Sequence, residues 1–286
     1  MTRFLLFIFC SWYINVQAQT IKRIHLRSGL IQDIPVQTID SLTYPSGNQF
    51  NIHLNNGSVQ TFLLNSVDSV TFFTSMQFNM GLTYGSVTDI EGNTYKTIQI
   101  GSQIWMAENL RVTKFRNNTT ILNISDSLGW ANVYDNNTKI PTWAYYQNDP
   151  SYNIVYGKLY NWFAAVHQNG ICPQGWHVPS DGEWTALTNF LGGEEVAAGK
   201  MKSAGTQYWK SPNAEGTNNS GFSALAGGLR YYYSSFDFLI DFGTWWSATA
   251  DNDTRSWARY LSYEYGSVFR TSSIKENGFS IRCLKD

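Results

Sequence analysis

The pattern of apolar and polar positions changes character several times along the chain. Phe4 to Phe9 is an unbroken apolar run behind Arg3, and Val16-Gln17-Ala18 closes it with the small-residue pattern that a signal peptidase accepts. Residues 1–18 therefore read as a cleaved export signal, because the run is far shorter than the roughly 20 residues that a spanning helix needs. Cys10 sits inside that run behind Phe9, where a lipidation site would carry a small residue, so a lipid anchor is not expected. The rest of the chain has no apolar stretch of spanning length. The mature protein is expected to be exported, to the periplasm, the cell surface or the medium.

From residue 19 to about 75 the apolar positions alternate, and the alternation repeats itself 28 residues later. Ile24-His25-Leu26-Arg27-Ser28-Gly29 aligns with Ile52-His53-Leu54-Asn55-Asn56-Gly57, and Ile39-Asp40-Ser41-Leu42-Thr43-Tyr44 with Val67-Asp68-Ser69-Val70-Thr71-Phe72. Each copy reads as a strand, a tight turn at Ser-Gly or Asn-Gly, a second strand and a short turn into a third. Neither has enough apolar surface for a core of its own, so the two should pack into one β-rich module over 19–75. His25 and His53 hold matching places. A shared metal would need further ligands, and no Cys or carboxylate recurs beside them at ligand spacing, which favours a strand-face role.

Residues 76–84 read as a linker and 85–286 as a larger domain. Val87 to Ile104 alternates around Glu91-Gly92-Asn93, a hairpin pattern. The Asn-rich stretch from Arg116 to Lys139 has few apolar anchors after Leu122 and reads as surface loop. Two main helices follow. Leu159, Trp162, Phe163 and Val166 fall on one helical face that stops before Gly170. Ser180 and Glu183 form a capping box ahead of Trp184, Leu187 and Leu191, with Gly192 to end the helix. A shorter helical piece is expected over Val196 to Ala204. Strand patterns then run over Phe222 to Tyr233, Thr244 to Thr249, Ser256 to Tyr263, Ser267 to Ser272 and Phe279 to Leu284. Helices in the middle and antiparallel strands at both ends describe an α+β domain whose terminal strands can pair.

Composition sharpens this picture in two places. Charged residues make only 14% of the chain and the net charge is −1, which argues against a nucleic-acid partner, since phosphate binding needs a concentrated basic surface. Aromatic residues reach 16%, and Tyr and Trp join a large apolar face to a polar handle suited to interfaces and sugar faces. Tyr145, Tyr146, Trp209, Tyr231, Tyr232, Tyr233 and Phe236 lie in or beside loop-like segments and are the candidate ligand contacts. Three consecutive tyrosines on a strand must point at least one ring outward. The competing reading is that bulky rings simply fill the core of a loop-rich fold. Outside the export signal only Cys172 and Cys283 remain, an even pair in an oxidising compartment, and they are expected to be bonded.

The larger domain resembles the Fibrobacter succinogenes major paralogous domain family. The resemblance lies in Ile100-Gly101-Ser102-Gln103-Ile104-Trp105-Met106-Ala107-Glu108-Asn109-Leu110, Tyr156-Gly157-Lys158-Leu159-Tyr160-Asn161-Trp162, Cys172-Pro173-Gln174-Gly175-Trp176-His177-Val178-Pro179-Ser180, Ser220-Gly221-Phe222-Ser223-Ala224-Leu225-Ala226-Gly227-Gly228, Trp245-Trp246-Ser247 and Ser280-Ile281-Arg282-Cys283. The N-terminal repeat is similar to a short β module placed ahead of such domains in Bacteroidetes proteins. What the resemblance implies is an exported bacterial protein with a C-type-lectin-like fold and no established catalytic activity, so it carries no catalytic residue across. Trp105, Glu108, Asn109, Trp162, Trp176, Trp245 and Trp246 belong to its blocks and read as frame, with Glu108 and Asn109 bonding buried backbone. His177 reads as a structural hydrogen-bond partner, and His167 as a ring in the last turn of its helix.

A lectin-type calcium site needs six to eight converging oxygen ligands. The Glu-Pro-Asn and Trp-Asn-Asp triplets of such lectins are absent, and Asp251-Asn252-Asp253 is the nearest substitute, with a solvated loop tip as the competing reading. No other cofactor is expected. A related cysteine-oxidising enzyme uses reactive thiols, which a Cys172–Cys283 bond would remove. No G-x-S-x-G, H-E-x-x-H or phosphate loop is present. A pair of acids among Glu108, Asp149, Glu215, Asp237 and Asp241 stays open for hydrolysis. The first expectation is an exported binding or adhesion protein for a glycan or a surface protein. The alternatives are a structural subunit of a surface assembly and an enzyme of unknown reaction.

Overall fold

The computed structural model describes residues 19–26, 31–35, 39–43, 48–54, 56–75, 77–79, 81–136 and 138–286. The expected export signal, with Cys10, lies outside the described residues, as do the Ser28-Gly29 turn and the side chain of His25. The chain divides into two compact units, Met1–Ser75 and Met76–Asp286. Among the described residues no helix is long and apolar enough to cross a membrane.

The first unit contains β1 (Gln19–Leu26), β2 (Ile31–Pro35), β3 (Ile39–Thr43), β4 (Gln49–Leu54), β5 (Val59–Leu63) and β6 (Val67–Ser75). They form two antiparallel sheets, ordered β2-β1-β6 and β3-β4-β5. In each copy of the repeat the first two strands make a hairpin, and the third crosses to the hairpin of the other copy. The registers carry the 28-residue symmetry through the exchange: Ile24 faces Val70 as Ile52 faces Leu42, and His25 faces Ser69 as His53 faces Ser41. Each sheet thus takes strands from both copies, which makes the pair the cooperative unit. Phe50, Ile52 and Phe62 are buried together, with Phe50 and Phe62 opposite each other across β4 and β5. His53 Nε2 shares a 2.8 Å hydrogen bond with Thr43 Oγ1 on β3.

The second unit is α+β. Its strands are β7 (Gly85–Thr88), β8 (Thr94–Ile100), β9 (Gln103–Met106), β10 (Leu122–Asn123), β11 (Thr142–Ala144), β12 (Leu159–Tyr160), β13 (Trp176–His177), β14 (Gly227–Arg230), β15 (Phe236–Leu239), β16 (Phe242–Ala250), β17 (Arg255–Ser262), β18 (Val268–Ile274) and β19 (Leu284–Lys285). Its α-helices are α1 (Ser127–Asp135), α2 (Asn153–Tyr156), α3 (Trp162–Ala165), α4 (Asp181–Phe190) and α5 (Glu194–Met201). One five-stranded sheet runs β13-β19-β9-β8-β7 and another β15-β14-β16-β17-β18, beside a small β10-β11-β12 sheet. Most pairings are antiparallel, but β14 meets β16 and β10 meets β11 in parallel.

Helix placement departs from the sequence pattern in two places. The expected helix after Leu159 is a single turn, because Leu159 and Tyr160 pair with β11 as strand and Asn161 then caps α3 by accepting from Ala164 N. The Arg116–Lys139 stretch, expected as loop, contains α1, capped by the Asp126 side chain and anchored by buried Trp130 and Val133. Two inward residues three apart suffice there; the surrounding Asn content concealed them. The capping box at Ser180 and Glu183 forms in full at the start of α4. Instead of one long strand, Phe279 to Cys283 threads past several elements in turn. Single bridges join Phe279 to Tyr160 and Ser280 to Trp245, and the Ile281 and Cys283 carbonyls accept from Leu110 N and Met106 N.

Adjacent Trp245 and Trp246 point to opposite faces of β16 and anchor separate apolar clusters, Trp245 with Trp105, Trp184 and Phe222, and Trp246 with Tyr160, Phe279 and the disulfide. Cys172 and Cys283 are bonded, 111 positions apart in sequence. Arg282 lies beside that bond, 1% exposed. Its Nε donates to Asn109 Oδ1 at 2.9 Å, and its terminal nitrogens donate to the carbonyls of Ser223, at 2.8 Å, and Phe222. Trp245 Nε1 donates to the same Asn109 oxygen at 2.9 Å, and Asn109 Nδ2 donates to the Tyr156 carbonyl. The guanidinium rests on the Phe222 ring, 4.3 Å from its centroid, and burial pushes its pKa down to about 9.

Two outcomes follow from this frame. Replacing Cys172 and Cys283 with Ser should cost about 4–5 kcal/mol, the loop-closure value for so long a loop, read from urea unfolding under oxidising conditions. Arg282→Met should cost at least about 2 kcal/mol in the same measurement, since two buried carbonyls lose their donors at about 1–3 kcal/mol each; a midpoint within error of the parent would contradict the role given to the guanidinium.

Candidate ligand-binding face

The sheet β15-β14-β16-β17-β18 exposes part of one face. Strand alternation and register put Phe242 and Thr244 of β16, Ala258 and Tyr260 of β17, and Phe269, Thr271 and Ser273 of β18 on that same face. Tyr260 stands directly opposite Phe269, with ring centroids 4.6 Å apart, and Phe242 meets Tyr260 at 5.6 Å. Cross-strand ring pairs of this kind stabilise a sheet while lining up apolar surface.

The row continues without a gap in both directions. Phe269 touches Tyr265 at 5.8 Å; Phe242 touches Phe238 at 4.6 Å, and Phe238 leads through Tyr231 and Tyr233 to Tyr232 and then Tyr134 on α1. Every ring in it is half-buried or exposed, and Tyr233 and Tyr265 are each 54% exposed. Two hollows open along the row. One, of about 250 Å³, lies among Tyr231, Phe238, Phe242 and Tyr260 with Thr244, Thr271, Ser273 and Asn277 at its walls. The other, of about 370 Å³, lies among Phe242, Tyr260, Tyr265 and Phe269 with Ser262, Ser267 and Glu264. Burial raises the pKa of Tyr231 and of Tyr260, so both phenols stay neutral donors. Phe238 holds φ at 64° in the middle of the row, a left-handed conformation that a bulky residue seldom adopts and that clusters at functional positions.

The candidate contacts read from sequence divide sharply. Tyr231, Tyr232 and Tyr233 join the row. Trp209 does not: it is fully buried and donates to the Ala224 carbonyl at 2.9 Å, so it belongs to the core. Tyr146 is likewise buried, against Tyr152 and Phe236 and under the backbone of Gly228. Tyr145 and Phe236 are half-buried and spend their faces on Lys158 and Trp143, and on Arg230 and Tyr146. In sequence Tyr145 stands just ahead of Gln147, Asn148 and Asp149, and Phe236 just behind Ser234 and Ser235, a polar setting that says nothing of which side a ring faces. Phe242, Tyr260, Tyr265 and Phe269 were missed. Pairing the two expected strands around Glu264-Tyr265-Gly266 would have set Tyr260 opposite Arg270; the observed register, one residue off, sets it opposite Phe269 and puts both rings on one face.

Asp251, Asn252 and Asp253 form an exposed turn whose oxygens serve its own fold. Asn252 Oδ1 accepts from Thr254 N, Thr254 Oγ1 and Arg255 N, Asp251 Oδ2 accepts from Ser272 Oγ, and the Asn252 and Asp253 carbonyls accept from the Lys275 ammonium at 2.8 and 3.0 Å. Among the described residues no group of three or more His, Cys, Asp or Glu is gathered as a metal would require. Glu108 accepts from Lys96 N and from Arg111, which ties the exit of β9 to β8.

With fold and face in view, the chain belongs to the Fibrobacter succinogenes major domain family, whose model matches residues 98–285. No curated protein and no solved structure matches it.

His177 links the first turn of α4 to Asp286, just past β19. Its Nδ1 bonds Asp286 Oδ1 at 2.6 Å and its Nε2 bonds Glu183 Oε1 at 3.0 Å, while Glu183 Oε2 accepts from Ser180 N in the capping box. Burial disfavours the charged ring, but the hydrogen bonds and charges of Asp286 and Glu183 outweigh it, and the pKa is raised. A raised value stabilises the fold fully below the ordinary pKa of about 6.5, and the contribution disappears as pH climbs through the folded value. Against His177→Gln, the parent's stability advantage should therefore shrink as pH rises above about 6.5; an advantage that is flat or grows as the solution is made alkaline would refute the pairing.

Proposed function

We propose that the protein is an exported, non-catalytic binding protein of the cell envelope, and that the ring row on the β14–β18 face takes a glycan. The unbroken run of half-exposed rings carries this reading. A pyranose has one face of C–H groups, which stacks on an aromatic ring, and a rim of hydroxyls, which the Thr, Ser and Asn side chains of the hollows can bond. An apolar patch this long with a polar rim marks a binding surface rather than ordinary exposure. The bonded Cys172 and Cys283 and the leader-like residues 1–18 support export. The C-terminal segment returning beside β9, and its disulfide to the stretch ahead of α4, support a C-type-lectin-like frame. The N-terminal module serves as spacer or docking unit. A surface protein is the second reading of the same face, favoured by its tyrosine content, since Tyr is enriched in protein interfaces.

A glycan array probed with the mature chain tests the reading. Tyr260→Ala and Phe242→Ala should each weaken the leading interaction at least tenfold, and a calcium chelator should leave it unchanged. Glycan binding that survives both substitutions, or that chelation abolishes, would count against the row as the site.

A further inference from the structure

A separate hollow of about 300 Å³ opens beside the disulfide. Its wall is apolar, from Ile171, Cys172, Trp176, Val178 and Ala248, and its polar side carries Arg116, His167 and His177. His177 has both ring nitrogens committed to Glu183 and Asp286. The other two do not.

Arg116 is held by its backbone, whose N–H donates to the Gly170 carbonyl at 2.9 Å. Its guanidinium lies flat against Gly170, so close that a Cβ there would fall within 2.5 Å of three guanidinium atoms, and Gly170 keeps φ at 65°. Position 170 must be glycine for the arginine to lie there. Yet among the described residues nothing accepts from the guanidinium. Asp89, which shares a neighbouring hollow with Arg116, is spent: its oxygens accept from Glu91 N, Asn93 N, Asn93 Nδ2 and the Tyr95 hydroxyl. His167 stacks on Phe115 at 4.1 Å and its Nδ1 accepts from Asn169 N at 3.3 Å. In the neutral ring the proton then sits on Nε2, which has no partner among the described residues.

We propose that this hollow binds a small organic carboxylate, of the size of a single acidic sugar. Arg116 would take the carboxylate through paired N–H···O bonds, the geometry that a guanidinium matches and an ammonium does not. His167 Nε2–H supplies a further donor, and the Trp176, Val178 and Ala248 wall receives the body of the ligand. The assignment stands on residues apart from the ring row and is independent of it.

Titration of glucuronate into the mature chain, followed by calorimetry and by the His167 ring resonances, tests it. Saturable binding is expected, with a shift of the His167 signals. Arg116→Gln should weaken it at least tenfold, Arg116→Lys should restore only part, and Gly170→Ala, which displaces the guanidinium, should weaken it as well. Thermal melts of the three variants check that each is folded. Glucose should leave the His167 signals unmoved. Absence of saturable glucuronate binding, equal binding by folded Arg116→Gln, or sulfate binding as tightly as glucuronate would each overturn the proposal.

Discussion

A guanidinium without a carboxylate beside it can remain in an apolar core only if its N–H groups find other acceptors. Arg282 meets that condition by drawing three distant segments onto itself. Asn109 comes from the exit of β9, the Phe222 and Ser223 carbonyls from the loop before β14, and the Trp245 ring, bonded to the same Asn109 oxygen, from β16. Because the arginine precedes Cys283, the disulfide fixes the segment that carries it. The blocks that carry the family resemblance are therefore parts of one hydrogen-bonded assembly. Their separation in sequence is the distance the chain travels between visits to one centre.

The same solution recurs away from that centre. Lys158, Lys202 and Arg230 are buried, and among the described residues none has a carboxylate partner. Lys158 donates to the Arg111 carbonyl and Asn153 Oδ1 under Trp143. Lys202 donates to the Ser262 and Tyr265 carbonyls near Trp209, and Arg230 to the Ile124 and Asp126 carbonyls over Trp130. Burial lowers both lysines to about 8. In each case a cation donates to backbone carbonyls at or just beyond the ends of strands and helices, and a ring face shields it. This explains how a domain with so much loop stays ordered, and why so many of its rings lie inside.

Rings left over from that task face outward together. The β14–β18 sheet is rigid because its other face packs Trp245 and Leu261 into the core, while Phe242, Tyr260 and Phe269 stand on the open side at strand spacing. A recognition surface built on strands keeps its geometry better than one on loops. The Arg116 hollow draws on a different resource, a glycine that lets a charged group lie against the chain.

What the sequence by itself determined is local or arithmetical. The capping box at Ser180 and Glu183, the hairpin around Glu91-Gly92-Asn93, the 28-residue repeat and the pairing of two cysteines each rest on a few adjacent residues or a simple count. The mixed α+β class followed from the order of periodic segments. Only the tertiary structure decided that the repeat exchanges its third strands, that Trp209 and Tyr146 point inward, and that Tyr260 and Phe269 complete a row begun at Tyr231. Those outcomes depend on register and on which face of a strand meets the core, and both are set by contacts between residues far apart in the chain. Composition can place a ring in a loop or a strand; it cannot choose the side.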